Sequence, residues 1–362
     1  MGKMLDPIQK IFLNTLQCVI MGKPLDFSLY ASLTTEEWMR IYRMAVQQGV
    51  VAILFEGIQQ LSKETAPPLK LLKQWSAHTF SIEDKQNEMG RVAADFAQLM
   101  CEHGIKTMVL KGKAFSTYYP DPNHRECGDL DCFLMGRYAD GDNIAAEHGA
   151  KVEGSGYKHS HIVYKGLTIE NHQYLTSFDN TKRGVYTERM LQDVIAKGGN
   201  QIDNTSLWNP SCEFNALYLV EHALRHFLKE GIVVRHLLDW AYFLKVEQEQ
   251  VNWSLVYTEM DKCHLRKFAD MLTYLCVIYL GVEITNPAIT YTLEKPMAEI
   301  VLYDILNEEH VVTKESFVKK MKRLFCRFQR MWRFRCLANE NYLTLIWTNI
   351  AFSSYLNTKV KL

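Results

Sequence analysis

The sequence has no C-x-x-C pair, no apolar run long enough to cross a bilayer, and no net charge at pH 7. Its nine cysteines, at 18, 101, 127, 132, 212, 263, 276, 326 and 336, are odd in number and scattered. That pattern speaks against a disulfide framework or a thiolate zinc site, and reduced thiols are expected. The longest apolar-looking stretch, 343–356, is broken by Thr344, Thr348, Asn349, Ser353 and Ser354. It also falls short of the roughly 20 residues that a spanning helix needs. Near the start, Asp6, Gln9, Lys10, Asn14 and Gln17 interrupt any signal-peptide core, and Asp6 stands where a myristoylation signal needs Ser or Thr. A cytoplasmic protein is expected. The 41 basic and 41 acidic residues cancel, so any attraction to nucleic acid or anionic lipid has to be local. What is present is apolar material, 48% of the chain, enough for a folded protein of two or three units.

Helical patterns occupy the first hundred residues. Thr34 with Glu37 three positions on, ahead of Trp38, Ile41, Met44 and Ala45, predicts a capping box opening an amphipathic helix. A second helix is expected over 82–103 from the spacing of Met89, Val92, Ala93, Phe96, Leu99 and Met100, with Gly104 as its cap. Ala66-Pro67-Pro68 marks a break between them. From residue 105 the pattern changes to short strands: 105–110, 130–135, then 158–164 and 167–172 joined across Lys165-Gly166 as a hairpin. A helix is expected at 139–148, and from about 211 the sequence is helical again. Three regions follow: 1–104 helical, 105–200 mixed, and 201–362 helical.

The mixed region carries the chemistry. Lys111-Gly112-Lys113 forms a glycine turn between a strand and a short helical stretch at 114–119. Backbone N–H groups in such a turn, and the helix dipole, suit a phosphate. Asp129 and Asp131 head the next strand, and residues i and i+2 of a strand share a face. Glu170 lies in another apolar strand run. Three carboxylates on adjacent strands make an oxygen-rich site for Mg²⁺ beside a phosphate-holding turn.

The run from Val109 to Asp131 resembles the fingerprint of an uncharacterised bacterial nucleotidyltransferase family within the polymerase-β-like superfamily. Lys111, Gly112, Ala114, Tyr119, Pro120, Pro122, Arg125, Asp129 and Asp131 fill its first part, and Glu170 and His172 its second. Glu221, His222, His226, Arg235 and Asp239 are similar to its downstream helices. The resemblance implies an α+β fold, with a small mixed-sheet nucleotidyltransferase core between N- and C-terminal helical regions. It implies transfer of an NMP moiety from an NTP such as ATP to an acceptor hydroxyl, with release of pyrophosphate. Asp129, Asp131 and Glu170 would hold two Mg²⁺ ions, which Mn²⁺ can replace. Lys111, Gly112, Lys113 and Arg125 would hold the nucleotide phosphates. The superfamily's turn often reads Gly-Gly or Gly-Ser, whereas Lys113 follows Gly112 here. That departure leaves room for a nucleotide-binding module without turnover.

Other features have two readings each. Arg125 either pairs with a phosphate or braces the aspartates. His222 and His226, at i and i+4, suit helix packing or a substrate better than zinc, and Asp239 is placed to hydrogen-bond one of them. His159 and His161 lie near the hairpin and either approach the site or are merely exposed strand histidines, the commoner case. Region 314–335 interleaves Lys319, Lys320, Lys322, Arg323, Arg327, Arg330, Arg333 and Arg335 with aromatics. It reads as an amphipathic packing helix, or as an adaptor surface for RNA or a membrane. The acceptor is not specified by any of these residues.

Overall fold

Asp6 and Thr34 start the first two helices by the same device. In α1 (Pro7–Met21), Gln9 N–H donates to Asp6 Oδ1 (3.0 Å) and Asp6 N–H to Gln9 Oε1 (3.1 Å). In α2 (Thr35–Gln48), Thr34 N–H donates to Glu37 Oε2 (2.8 Å) and Glu37 N–H to Thr34 Oγ1 (3.3 Å), as the sequence predicts. The computed structural model describes residues 5–307, except 155–156, 177–180, 203, 230 and 293–294, together with Leu337. The basic region 314–335 lies outside the described residues.

Helices α3 (Val51–Ile58) and α4 (Leu69–Glu102) complete the first region. At 34 residues α4 is about 50 Å long. It starts right after the Pro67-Pro68 break, well ahead of the expected residue 82, and buries Trp75, Val92, Phe96 and Met100. Its end is a Schellman motif. Gly104, at φ +68°, lets its N–H reach Cys101 O (2.9 Å) and the Ile105 N–H reach Met100 O (2.9 Å).

The chain then enters β1 (Thr107–Val109), a short helical stretch α5 (Lys111–Ser116) and β2 (Leu130–Phe133). Helix α6 (Tyr138–Glu147) leads to β3 (Lys151–Gly154), β4 (His159–Tyr164) and β5 (Leu167–His172), with the expected hairpin turn at Lys165-Gly166. After α7 (Lys182–Ile195) come β6 (Gly199–Gln201) and β7 (Leu207–Pro210). The seven strands form one mixed sheet, in order β3-β4-β5-β2-β1-β7-β6. The sheet therefore runs to Pro210, past residue 200. Strands β3, β6 and β7 were not evident in the sequence. They are three or four residues long, and β3 and β6 hold mainly glycine and polar residues, so no alternation marks them.

Alternation along β4 and β5 divides the sheet into two unlike faces. Asn171 Nδ2 donates to Tyr138 O (3.0 Å) and Asp142 Oδ1 (2.8 Å), and Ser160 Oγ to Asp142 Oδ1 (2.6 Å), so this face is covered by α6. Phe96 of α4 packs edge-on against Tyr164 on the same face, ring centroids 5.6 Å apart. Glu170, His172, His159 and His161 point the other way. That side is walled by α8 (Cys212–Lys229) and α9 (Val234–Glu247). Beyond them lie α10 (Trp253–Lys262), α11 (Arg266–Leu280) and α12 (Lys295–Asn307). Gln48 ties the helical regions together, donating to Ile305 O (3.1 Å) and accepting from the Val234 N–H (2.8 Å). Among the described residues, no helix is long and apolar enough to cross a membrane.

Candidate active site

Strands β2 and β5 run parallel, and their register sets Asp131 beside Glu170. The antiparallel β4–β5 pairing extends the row, with His161 opposite Glu170 and His159 opposite His172. Asp129, two residues before Asp131, borders a cavity together with it, and Glu170 does not line that cavity. Lys111 comes from across β1. Its Nζ lies 2.7 Å from Asp131 Oδ1 and 3.9 Å from Glu170 Oε2. His172 Nε2 donates to Asp131 Oδ1 (2.9 Å) and lies 3.5 Å from Glu170 Oε2.

This crowding sets the ionisation of each group. Burial opposes charge on Asp131, yet Lys111 and His172 outweigh it and hold the carboxyl well below the usual carboxylate range. Burial likewise disfavours the Lys111 ammonium, and Asp131 and Glu170 reverse the balance and push it up. Asp129 goes the opposite way, raised first by burial and then by the charge on Asp131. Burial opposes charge on Glu170 as well, yet His172 and Lys111 together lower its carboxyl overall.

Glycine at 112 lets the turn pack closely against the loop before β2. Gly112 departs from helical geometry (φ 14°, ψ −91°), and a Cβ there would sit 3.3 Å from Cys127 Sγ and 3.6 Å from Arg125 Nη1. Lys111, before it, takes φ +28°, a sparsely populated conformation for a non-glycine residue. Gly112 and Lys111 border a cavity of about 300 Å³, with Asp129 and Asp131 at one side and His222, His226 and His236 at another. The volume is at the lower end for a small-molecule site.

Several sequence-predicted residues have other positions. Lys113 runs against α4, where a Cβ on Gly90 would lie 3.3 Å from its Nζ, and it does not line the cavity. Arg125 does not brace the aspartates. It forms a bidentate pair with Asp239, Nε to Oδ1 3.1 Å and Nη2 to Oδ2 2.7 Å. Asp239 therefore does not serve His222 or His226; its third hydrogen bond comes from the Tyr119 hydroxyl (2.8 Å). The rings of His222 and His226 are 4.4 Å apart, and His236 of α9 stands 5.9 Å from His226. Burial first, then neighbouring cations and imidazoles, holds His222 and His236 well below the ordinary histidine value. Both are neutral cavity walls.

Two residues were missed in the sequence. Lys158, pushed down by burial and by Lys111, adds a second ammonium near Glu170, and His236 joins the histidine wall from another helix. No spacing rule connects either to the carboxylates.

The ligand atoms of Asp131, Glu170 and His172 lie within 4.8 Å of one another, close enough for one ion, whereas His222 and His226 belong to no such group among the described residues. Two charged carboxylates with a half-buried third suit a hard divalent cation. Neither a curated protein nor a solved structure matches the chain. Residues 34–281 match a family described as "Uncharacterised nucleotidyltransferase". The match begins at the cap of α2, ends at the cap of α11 (Gly281), and takes in every residue bordering the cavity. The chain belongs to this nucleotidyltransferase family.

Proposed function

We propose that the protein transfers an NMP moiety from an NTP to an acceptor hydroxyl and releases pyrophosphate. The observation that carries this reading is the Asp131–Glu170 register, with Asp129 and the Gly112 turn bordering the same cavity as Asp131. Asp129, Asp131 and Glu170 would hold two Mg²⁺ ions, or Mn²⁺ in their place. When bound, the ions supply charge neutralisation and polarise the phosphoryl oxygens. The chain does the rest by positioning. Backbone amides after Gly112 cradle the β- and γ-phosphates, and Lys111 exchanges its carboxylate partner for phosphate oxygens. The acceptor oxygen attacks the α-phosphorus, and the bond to the pyrophosphate oxygen breaks. The acceptor's proton passes to Glu170 or to a neutral histidine of the wall.

Lys111 also favours a second reading. An ammonium seated on Asp131 occupies the place a cation needs, as expected of a module that binds nucleotide without turnover. One experiment separates the two. The purified chain is incubated with each NTP, labelled at the α-phosphate, with Mg²⁺ or Mn²⁺ and pools of small-molecule, RNA and protein acceptors. Pyrophosphate release that disappears in Asp131→Asn and Glu170→Gln supports transfer. Metal-dependent NTP binding by calorimetry, with no pyrophosphate from any pool, would establish the binding module instead.

A further inference from the structure

Strand β4 presents two imidazoles to the same carboxylate. His159 and His161 are two residues apart and share a face, and β5 sets His161 directly opposite Glu170. His159 Nδ1 is 3.5 Å from Glu170 Oε2, and His161 Nε2 is 3.6 Å from Glu170 Oε1. The two rings are stacked, with centroids 5.0 Å apart and planes 20° from parallel. From this geometry we infer that His159, His161 and Glu170 form a second, nitrogen-rich metal site for a borderline divalent ion such as Zn²⁺ or Co²⁺, beside the oxygen-rich one.

Three arguments support the assignment. Both separations exceed a good charge-assisted hydrogen bond, about 2.8 Å, so the groups are not simply bonded to one another. They match two ligands on one ion: bonds of about 2.1 Å at a tetrahedral angle put donor atoms about 3.4 Å apart. All three ligand atoms fall within 4.8 Å of one another. Second, the donor chemistry differs from that around Asp131. Two imidazoles and one carboxylate favour Zn²⁺ or Co²⁺ over Mg²⁺, which prefers oxygen and keeps its waters. Third, the His161 side chain is 38% exposed, which leaves an entry path and open coordination positions. A histidine pair on a strand is commonly only a solvated face. What sets this pair apart is convergence on a carboxylate from the neighbouring strand.

The inference shares Glu170 with the nucleotidyl-transfer reading without depending on it, because the test uses Co²⁺ and no nucleotide. The full chain is titrated with Co²⁺, followed by its visible d–d absorption, and with Zn²⁺ by calorimetry. One equivalent is expected to bind. His159→Ala and His161→Ala should each lower affinity at least about tenfold, while His222→Ala leaves it unchanged. His161→Cys, which keeps a ligand at this exposed position, should restore binding with a shifted Co²⁺ spectrum. Circular dichroism checks that each variant is folded. Absence of stoichiometric binding, wild-type affinity in either β4 alanine variant, or loss of binding in His222→Ala would each overturn the site. Failure of the transfer assay would leave this result untouched.

Discussion

Two ion pairs border the same cavity, with the same closest distance and opposite character. Arg125 Nη2 meets Asp239 Oδ2 at 2.7 Å, and Lys111 Nζ meets Asp131 Oδ1 at 2.7 Å. The first pair is closed. The guanidinium binds both carboxylate oxygens, and its remaining nitrogen reaches the Glu126 carbonyl (3.2 Å) and Cys127 Sγ (3.1 Å), while Tyr119 adds a third bond to Asp239. Each guanidinium nitrogen and each carboxylate oxygen has a partner, and the pair links the loop before β2 to α9. The second pair is open. Lys111 faces Asp131 and Glu170 with Lys158 nearby, and with Asp129 the three carboxylates still outnumber the two amines, an excess that a divalent ion can fill. Saturation marks a pair that holds the fold, and leftover charge marks one that holds a ligand.

The comparison can be broken most decisively at Asp131. Asp131→Asn should abolish pyrophosphate release, a loss on the order of a thousandfold or about 4 kcal/mol of barrier, with the folded state retained. Parallel rate and circular dichroism measurements check it, and a variant that unfolds instead would place Asp131 in the structural class. Arg125→Met should do the reverse in kind. It strands a buried Asp239, costing about 3 kcal/mol or more of stability in urea denaturation. The double variant Arg125→Met/Asp239→Leu should recover much of that loss, because no lone charge remains. If the single and double variants are equally unstable, the pair is not the closed unit described.

A smaller effect is expected at Lys111. Lys111→Met should strengthen divalent-ion binding in the absence of nucleotide and weaken NTP binding about tenfold, or about 1.4 kcal/mol. Calorimetry with each ligand alone reads both directions, and a fall in ion affinity would contradict the open pair. The weakest test uses a third cluster, on the surface between α3, α4 and the loop before β2. His124 lies 2.9 Å from Glu83 and also contacts Glu56. Burial opposes its charge, but the two glutamates win and raise its pKa to about 9. Its stabilising contribution is therefore complete below the ordinary histidine value of 6.5 and is lost as pH rises through about 9. Because the group is partly solvated, the loss should be on the order of 1 kcal/mol. Comparing melting temperatures of the wild type and Glu83→Gln at pH 6 and pH 10 isolates it. The gap between the two proteins should narrow at the higher pH.

Local physics made part of this arrangement legible in the sequence. Asp129 and Asp131 read as a pair because strand alternation is a two-residue rule, and Glu170 stood out as an acid within an apolar strand. Thr34 with Glu37, and Lys165-Gly166 between alternating runs, likewise carry their signals within a few residues. Arg125 could not be read this way. Its partner Asp239 is 114 residues along the chain, and only the approach of α9 to the glycine turn brings them together. Lys113 misled for a related reason: as a cation after a glycine it looked like a phosphate ligand, while packing of α5 beside Gly90 turned it toward α4. His159 and His161 were visible as residues, but their relation to Glu170 depends on register, which nothing in a single strand reveals.

The parallel pairing of β2 with β5 also has a meaning in time. Between Asp131 and Glu170 the chain makes a helix, an outer strand and a hairpin before it returns to the sheet's centre. Parallel neighbours cannot be joined by a tight turn, so their contact waits for a long loop to close. The β4–β5 hairpin needs only its own neighbours and can form early, whereas α1 packs on the distant α11 as well as on α3. The two acids meet only once that crossover has closed. The place for a charged ligand is thus completed by that closure rather than by either strand alone.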